Sequence, residues 1–269
     1  MKINLSIIIP VYQAQHTINR TLRSINNQLI SDEKLNIEII LIIDDGKDYK
    51  NLIIKLKNLF SLRIFKTNGI KTGPGNARNI GVSKARGEYI GYLDADDEWS
   101  DTYLEQMYSL VKTNGIAFAP THVYDNGRLV KIFEGQNKGY LQLNDIGKVP
   151  CSFHPFIKKK DQIKFQLFKS QDVYNISYIL NRYKKKIKLI DNGYYRLNIQ
   201  KKSVTKEEGF SHKINLAYKK YQIIAQKDKN IKISREFAIR RINNLKFIEW
   251  SKSNIGGYYD YLSTAGDLK

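Results

Sequence analysis

The segment IEIILII at Ile37–Ile43 is a nearly unbroken run of apolar and β-branched residues, and Asp44 and Asp45 follow it directly. A run of this kind, without alternation of apolar and polar residues, is typical of a strand buried on both faces of a parallel sheet. A similar run, LSIIIP, lies at residues 5–10, and weaker strand-like segments lie at residues 62–66 and 88–93. We expect these four strands to form the centre of one sheet.

Apolar residues at helical spacing separate the predicted strands. They are Ile18, Leu22 and Ile25 in a first helix and Leu52, Leu56 and Leu59 in a second, and a third helix is predicted at residues 76–84. This alternation predicts right-handed βαβ units and an α/β fold with a doubly wound, mostly parallel sheet flanked by helices. Further along, the pattern predicts a helix at 102–112, strands at 117–124 and 129–133, and basic amphipathic helices at 213–226 and 234–250.

The 269-residue chain has a formal net charge of +19 that is distributed unevenly. Residues 1–150 hold 19 basic and 16 acidic side chains, a balance of +3, whereas residues 151–269 hold 26 and 10, a balance of +16. Such a field favours acidic partners such as nucleic acid, anionic lipid or nucleotide phosphates. A lysine-rich composition with a solvated surface accounts for most of the excess equally well.

The composition also excludes several classes of protein. With 42% hydrophobic residues the chain can bury a core, so wholesale disorder is excluded. The single cysteine, Cys151, excludes a disulfide framework and suggests a reducing compartment. No run approaches the roughly 18 apolar residues of a spanning helix, and no signal-peptide pattern opens the sequence. We therefore expect a cytoplasmic protein.

Polar residues follow three of the predicted strands, where an open α/β sheet binds its ligands. The segment Val11-Tyr12-Gln13 follows the first strand, Asp44-Asp45-Gly46 the second, and Asp94-Ala95-Asp96-Asp97 the fourth. One aspartate after a strand is most often a helix cap, but acidic clusters after two strands of one sheet need a compensating cation or donor. Alternate carboxylates such as Asp94 and Asp96 suit a hard divalent cation, with positions left for water and phosphate oxygens.

Other nucleotide-binding patterns are missing from the sequence. No G-x-G-x-x-G follows the first strand, which argues against a dinucleotide oxidoreductase, and there is neither a Walker sequence nor a G-x-S-x-G elbow. The turn Gly73-Pro74-Gly75 before the third helix could present backbone N–H groups to an anion, or could simply begin the helix. A nucleotidyltransferase would need a Gly-rich basic loop after the first strand, and residues 11–16 contain neither glycine nor lysine.

Taken in order along the chain, these motifs resemble the family 2 glycosyltransferases of GT-A fold. The matching segments are SIIIPVY at residues 6–12, IIDDG at 42–46, GPGNARNIG at 73–81 and ARGEYIGYLDADDEW at 85–99. A weaker match runs through Gln171-Asp172 and YYRLNIQKKSVT at residues 194–205. The resemblance implies a GT-A domain at residues 1–205, with a nucleotide-sugar-binding half at 1–100 and an acceptor half at 101–205. A basic helical extension follows at residues 206–269.

The resemblance also implies roles for individual residues. Pro10, Val11 and Tyr12 would line the pocket for the nucleotide base, and Asp45, with Asp44 beside it, would bind a uracil-like base. Asp94 would face the ribose and the metal, and Asp96 would ligate Mg²⁺ or Mn²⁺ directly. The donor-binding set implied in this way is Pro10, Val11, Tyr12, Gln13, Asp44, Asp45, Gly73, Arg78, Asp94, Ala95, Asp96, Arg196 and Ser203. Within it, Arg78 would lie near the donor phosphate or sugar, and Arg196 and Ser203 in a late loop over the diphosphate.

Asp172 corresponds to the catalytic base of the family. It would take the proton of an acceptor hydroxyl in an inverting transfer, and as a residue it is also a good N-cap for a helix starting at Val173. Gln13 replaces the usual Asn, Lys47 the usual Ser, and Gln171 the usual Glu of the family. The first two substitutions leave the identity of the donor open. His154 is a candidate for acceptor binding or a third metal ligand, although a lone histidine more often has neither role.

The predicted function is transfer of a sugar from a nucleoside diphosphate, most simply UDP, to a glycan or lipid-linked acceptor in cell-surface polysaccharide synthesis. The alternative is a non-enzymatic binder of nucleic acid or anionic membranes through the basic C-terminal half. Within the enzyme hypothesis, the spacing of Ile214, Tyr218, Tyr221 and Ile224 predicts peripheral contact of the basic tail with an anionic membrane, or else packing of the tail on the domain. No specific nucleic acid partner is expected in that case.

Overall fold

The computed structural model describes residues 2–32, 34–53, 55–134, 139–149, 151, 154–199 and 209–264. Its strands are β1 (Leu5–Val11), β2 (Ile37–Ile43), β3 (Phe60–Lys66), β4 (Tyr89–Tyr92), β5 (Glu98–Trp99), β6 (Ile116–Ala117), β7 (Thr121–Asp125), β8 (Arg128–Phe133), β9 (Tyr140–Leu141), β10 (Phe156–Lys158), β11 (Ile187–Lys188) and β12 (Tyr195–Ile199). Its helices are α1 (Ile18–Asn26), α2 (Pro74–Lys84), α3 (Tyr103–Asn114), α4 (Gln171–Tyr183), α5 (Phe210–Lys227), α6 (Ile231–Ser251) and α7 (Tyr258–Thr264).

The central sheet has the strand order β3-β2-β1-β4-β10-β6. Strands β1 to β4 are parallel to one another, whereas β10 runs antiparallel to both β4 and β6. Every residue of β2 is buried, because helices and loops cover both faces of this sheet, as its apolar sequence predicts. The predicted α/β class and mostly parallel sheet are therefore confirmed.

One predicted helix is wrong. The residues Leu52, Leu56 and Leu59 have helical spacing, but among the residues described between β2 and β3 the structure has only a single 3₁₀ turn, at Lys50–Leu52. These leucines are only partly buried and pack from a loop against the core of the sheet. Burial of their side chains thus needs no helix, and their spacing is satisfied by packing from a loop.

A buried carboxylate braces the start of the sheet. Glu38, on β2, is fully buried and accepts hydrogen bonds from the Ser6 hydroxyl, from the guanidinium groups of Arg63 and Arg86, and from the Arg86 backbone N–H. Burial alone would raise the pKa of Glu38, but these hydrogen bonds outweigh it and hold the pKa below its ordinary value. The side chain therefore ties β1, β3 and the segment after α2 to β2.

A second sheet, with the order β5-β12-β7-β8, lies after the acidic segment that follows β4. Strand β12 pairs antiparallel with β5 and parallel with β7, so it joins the predicted acceptor half to the segment carrying the acidic cluster. A two-stranded pair of β9 and β11 completes this part of the chain as described.

The C-terminal helices pack on the rest of the protein. Ile214, Tyr218 and Tyr221 of α5 are buried in one hydrophobic core with residues of β7, α4 and α6, and Ile224 packs against that core. The apolar stripe that predicted membrane contact is therefore covered by protein, and the alternative, packing on the domain, is what the structure has. The predicted domain boundary after residue 205 lies outside the described residues. None of the helices described is both long and apolar enough to cross a bilayer.

Candidate active site

The three polar segments identified from the sequence meet at one edge of the central sheet. Strands β1, β2 and β4 are parallel neighbours, and the register sets Val11 beside Ile43 and Ile8 beside Tyr92. The segments that begin at Tyr12, Asp44 and Asp94 consequently leave the sheet side by side.

Asp45 orders the turn after β1. Its Oδ2 atom accepts hydrogen bonds from the Gln13 backbone N–H at 2.8 Å and from the Tyr49 hydroxyl at 2.7 Å. These donors and the Lys47 N–H outweigh the effect of burial and lower the pKa of Asp45, so it is a carboxylate at neutral pH. Gln13 has a φ of 52°, a region that asparagine tolerates better than glutamine. Glutamine thus replaces the family's usual Asn at a position whose backbone conformation is less favourable for it.

Asp44 orders the loop before α2. Its Oδ1 atom accepts hydrogen bonds from the hydroxyls of Thr67 and Thr72 and the Thr72 N–H, and its Oδ2 atom accepts one from the Gly73 N–H. Both carboxylate oxygens are therefore engaged within the protein, and the side chain is 3% exposed. Asp44 therefore fixes the turn at Gly73, which has a φ of 98°.

The remaining predicted contacts of the base lie around these two carboxylates. Tyr12 is exposed, Pro10 is half-buried, and Val11 and Ala95 are buried, so Tyr12 presents the largest open surface of the four. Gln13 is also exposed, and its side-chain amide donates a long 3.4 Å hydrogen bond to the Tyr12 hydroxyl.

Arg78 is the cation at the centre of the site. It is 3% exposed, and its Nη2 atom donates a 2.5 Å hydrogen bond to Oδ1 of Asp94. Burial opposes the charge of the guanidinium, but the carboxylates of Asp94 and Asp172 outweigh it and raise the pKa of Arg78. In the same way Arg78 and His154 outweigh the burial of Asp94 and hold its pKa well below the ordinary value. Asp94 is therefore ionised and already paired.

Asp96 differs from Asp94 in its electrostatic surroundings. Burial and the charge of Asp94 raise the pKa of Asp96 to about 6, and Arg20 offsets this only in part. The Arg20 guanidinium donates to the backbone carbonyl of Asp96 at 2.7 Å. Two carboxylates close together with one of them unpaired form a site of excess negative charge, which a divalent cation would relieve.

The carboxylates of Asp94 and Asp96, called the acidic pair below, fit an Mg²⁺ or Mn²⁺ ion whose other ligands come mainly from the substrate. Among the residues that the structure describes, no three histidine, cysteine or acidic side chains are grouped as metal ligands. Mg²⁺ is commonly held by one or two carboxylates, with water and phosphate oxygens completing its shell. Asp96, and Asp94 beside it, are the residues that would hold the ion, and the unpaired charge of Asp96 favours it as the direct ligand.

Asp97 and Tyr195 were not singled out as site residues from the sequence. The Tyr195 hydroxyl donates to Oδ2 of Asp97 at 2.8 Å and accepts from the Asp94 N–H at 3.1 Å. Burial and the charges of Asp96 and Asp94 raise the pKa of Asp97 well above its ordinary value. Asp97 also accepts from the Asn198 N–H, so this pair fixes the acidic turn to β12. The sequence signal that could have identified Tyr195 was its position directly before Arg196 in the motif at residues 194–205.

Asp172 lies in the first turn of α4, and its charge acts on Arg78. The helix begins at Gln171 with Ser170 as its N-cap, so the prediction that Asp172 caps a helix starting at Val173 is wrong. Asp172 lines a narrow pocket together with Arg78, Tyr92, His154 and Phe165. Gly75 lets α2 lie close to the segment before α4, since a Cβ at residue 75 would lie 2.2 Å from the Gln166 carbonyl oxygen.

His154 stacks on Tyr195 with its ring centroid 4.6 Å away, and its Nε2 atom lies 3.6 Å from Oδ2 of Asp94. It is 8% exposed, and within the described part of the chain neither ring nitrogen makes a hydrogen bond. His154 therefore lies beside Asp94 in the candidate site, and its predicted role in acceptor binding stays a prediction.

Arg196 is placed in a strand, which differs from the prediction of a loop. It lies in β12 opposite Glu98, its guanidinium stacks on the Tyr124 ring at 3.7 Å, and its Nε atom donates to Asn198. The antiparallel pairing of β12 with β5 takes this segment out of the loop that the motif suggested. Ser203, the other residue predicted for that loop, lies outside the described residues.

Comparison with known proteins agrees with this arrangement. The family model described as Glycosyl transferase family 2 matches residues 6–183. The chain is 32% identical over 145 residues to the minor teichoic acid biosynthesis protein GgaA of Bacillus subtilis, which covers 52% of this chain and 30% of the relative. It is 35% identical over 114 residues to UDP-Glc:alpha-D-GlcNAc-diphosphoundecaprenol beta-1,3-glucosyltransferase WfgD of Escherichia coli, covering 42% and 43%. The matched segment is thus less than half the length of either relative.

A longer match joins the chain to poly(ribitol-phosphate) beta-N-acetylglucosaminyltransferase TarP of Staphylococcus aureus, with 29% identity over 208 residues covering 71% of this chain and 61% of the relative. Among solved structures, S. aureus TarS 1–349 in complex with UDP-GlcNAc superposes with a TM-score of 0.64 at 17% identity, over 90% of this chain and 72% of that one. The superposition shows that the fold is of GT-A type. The chain belongs to glycosyl transferase family 2.

Proposed function

We propose that this glycosyltransferase is metal-dependent and inverting, and that it moves a sugar from a UDP-linked donor to a hydroxyl of a glycan or lipid-linked acceptor. The observation that carries this proposal is that the buried guanidinium of Arg78 interacts with two carboxylates. It pairs with Asp94 of the acidic pair, and it lines one pocket with Asp172, whose charge raises its pKa. We infer that a donor diphosphate held at the acidic pair has its sugar near Asp172.

The proposed reaction exchanges one bond at the anomeric carbon. The acceptor oxygen forms a bond to that carbon while the bond to the diphosphate oxygen breaks, and the electron pair leaves with the diphosphate. Asp172 takes the proton of the acceptor hydroxyl, a contribution of typically about 10²–10⁴-fold. Attack from the face opposite to the leaving group inverts the configuration of the sugar.

Charge on the departing diphosphate is the second requirement of the reaction. A bound Mg²⁺ or Mn²⁺ would supply Lewis-acid stabilisation of that charge. Arg78 adds a fixed positive charge in a dry environment, where it acts more strongly than in water. The Gly73 N–H already donates a hydrogen bond to Asp44. We therefore assign anion binding at this turn to the backbone N–H groups that follow in the first turn of α2.

The identity of the donor base is proposed from the pocket and its relatives together. Asp45 is ionised and accepts from Gln13 and Tyr49, and the exposed Tyr12 directly precedes Gln13 in the chain. A base stacked on Tyr12 with an imide N–H facing Asp45 fits a uracil. TarS, which shares the fold, has been crystallised with UDP-GlcNAc, and WfgD is named for UDP-Glc.

Binding of a panel of nucleoside diphosphate sugars, with and without Mn²⁺, tests this proposal directly. We expect UDP-sugars to bind in the presence of the metal and GDP- or CMP-linked sugars to bind weakly. Equal binding of all nucleotides would contradict the base assignment, and equal binding after chelation would contradict the metal. A cytoplasmic location, a role in cell-surface polysaccharide synthesis and contact with the inner face of the membrane remain predictions from the sequence. Membership of this family favours an enzyme over the alternative of a non-enzymatic binder.

A further inference from the structure

A surface groove of about 530 Å³ lies far from the acidic pair. Its walls are the C-terminal ends of α3 and α4, strand β10 and the turn that follows β10. We call it the basic groove, because its lining includes the cationic side chains Lys158, Lys160, Arg182 and Lys185. Two lysine runs that are separated in the sequence, at residues 158–160 and 184–186, thus meet on one surface.

The positive charge of the basic groove exceeds the negative charge around it. Four cationic side chains face one acid, Asp161, and the ends of α3 and α4 together contribute a partial charge of about −1. The balance is therefore about +2. Lysines at helix C-termini normally offset the helix dipole, and two of them would be enough for that purpose here. The groove carries more cations than the fold requires.

The single acid of the groove is also partly engaged. Asp161 accepts a 3.3 Å hydrogen bond from the Tyr183 hydroxyl, and the Arg182 guanidinium donates to its backbone carbonyl rather than to its carboxylate. Among the described residues, the ammonium groups of Lys158, Lys160 and Lys185 make neither a hydrogen bond nor an ion pair. These three groups are therefore free to bind an anion from solution.

The basic groove and the acidic pair lie at opposite ends of strand β4. Lys158 pairs with Tyr89 at the start of β4, whereas Asp94 follows the end of β4. Five residue-to-residue steps of extended chain lead from Tyr89 to Asp94, a distance of about 16 Å. A ligand that reaches both sites must be an extended molecule, not a single sugar nucleotide.

We propose that the basic groove is a second binding site of this enzyme and that it takes the phosphate groups of an extended anionic chain. Ammonium and guanidinium groups bind phosphate through charge-assisted hydrogen bonds, and several of them spread along a groove suit a chain of phosphates. The identification of this chain as the acceptor rests on the proposed function, while the binding of phosphate does not. Held in the groove, an acceptor of this kind would stay bound between successive encounters with the donor.

Titration of the full chain with tripolyphosphate tests the proposal, both in the presence and in the absence of saturating UDP and Mn²⁺, which cover the donor site. The test variant is Lys160→Gln with Lys185→Gln, since both side chains are exposed and neither supports the fold. The matched control is Lys219→Gln with Lys246→Gln, which removes the same charge from exposed positions on α5 and α6. We expect the groove variant to bind tripolyphosphate about tenfold more weakly or worse, and the control to bind like the parent.

Three results would overturn the proposal. Equal losses in the groove and control variants would show that phosphate senses only net charge, and absence of tripolyphosphate binding to the parent would show that the groove is not a phosphate site. Vesicles of phosphatidylglycerol and phosphatidylcholine form the second arm. Loss of vesicle binding in the groove variant with tripolyphosphate binding intact would identify a membrane surface as the ligand and contradict the proposal. UDP affinity, measured in the same samples, reports separately on the proposed function.

Discussion

The Nη2 atom of Arg78 lies 2.5 Å from Oδ1 of Asp94, and the same buried guanidinium is close enough to Asp172 to be stabilised by its charge. This one side chain therefore interacts both with the first residue of the acidic pair and with the predicted base. Because Asp94 is already paired with Arg78, Asp96 carries the unpaired negative charge of the cluster. The first two predictions follow from this division.

Asp96→Asn should abolish the Mn²⁺-dependent part of donor binding while leaving the fold intact. The amide removes the unpaired negative charge that favours the cation, and we expect UDP-sugar affinity with Mn²⁺ to fall about tenfold or more. Calorimetry with and without Mn²⁺ measures the effect, and thermal unfolding checks the fold. Asp101→Asn, at an exposed position near the end of the same segment, is the control and should bind normally. Unchanged metal-dependent affinity in Asp96→Asn would show that another residue holds the ion.

Asp172→Asn should reduce transfer by about 10²–10⁴-fold and leave donor affinity close to the parent's. The amide keeps the shape of the side chain in the first turn of α4 but cannot accept the acceptor's proton. Product formation with a fixed acceptor measures the loss, and the exposed Asp191→Asn serves as control. The product of the parent enzyme should have the anomeric configuration opposite to that of the donor. Retained configuration, or near-normal turnover in Asp172→Asn, would place the base elsewhere.

Arg78→Met should destabilise the protein by about 3–5 kcal/mol, because it leaves Asp94 without its buried partner. Urea unfolding at neutral pH gives the free energy, and Arg23→Met, at an exposed position of α1, should have little effect. Adding Asp94→Asn to Arg78→Met should recover part of the lost stability, since the unpaired charge is then removed. A double variant that is less stable than Arg78→Met alone would mean that Arg78 acts through packing on Phe165 instead of charge.

Acid should weaken the fold through Glu38. Its pKa is lower in the folded protein than in the unfolded chain, so its contribution is fully present above about pH 4.5 and is lost as the pH falls through the folded value. Glu38→Gln should cost about 3 kcal/mol at pH 7, at the low end for a buried ion pair because Arg63 and Arg86 are partly exposed. The difference between parent and variant should shrink on acidification. The exposed Glu249→Gln is the control, and a difference that does not change with pH would contradict this assignment.

The sequence was sufficient for the central sheet and for the edge at which ligands bind. The runs in β1 and β2 leave no alternative to buried parallel strands, and the polar segments after them could be placed by the direction of the strands alone. Local periodicity failed at residues 52–59, where apolar side chains pack from a loop. The motif resemblance implied a loop at Arg196, whose strand depends on pairing with a segment about 100 residues earlier. Such long-range pairing has no local signature.

The candidate site, too, was predictable from the sequence only in part. Asp94, Asp96 and Arg78 were expected to act on the donor, and their mutual contacts are compatible with that expectation. The role of Tyr195 was invisible, because its bonds to Asp97 and Asp94 join residues about 100 positions apart. The surface that the C-terminal helices contact could not be predicted either. An apolar stripe next to lysines has the same sequence pattern on a membrane and on a protein core.

Asp44 has a consequence for the speed of donor capture. Its carboxylate holds Thr67, Thr72 and Gly73 in place before any ligand arrives, so the turn ahead of α2 has no ordering entropy left to lose when an anion approaches. Binding at such a turn is a docking event without a folding step. The rate-limiting rearrangements of this enzyme's cycle should accordingly lie on the acceptor side of Arg78, and the nucleotide should meet a surface that is already formed.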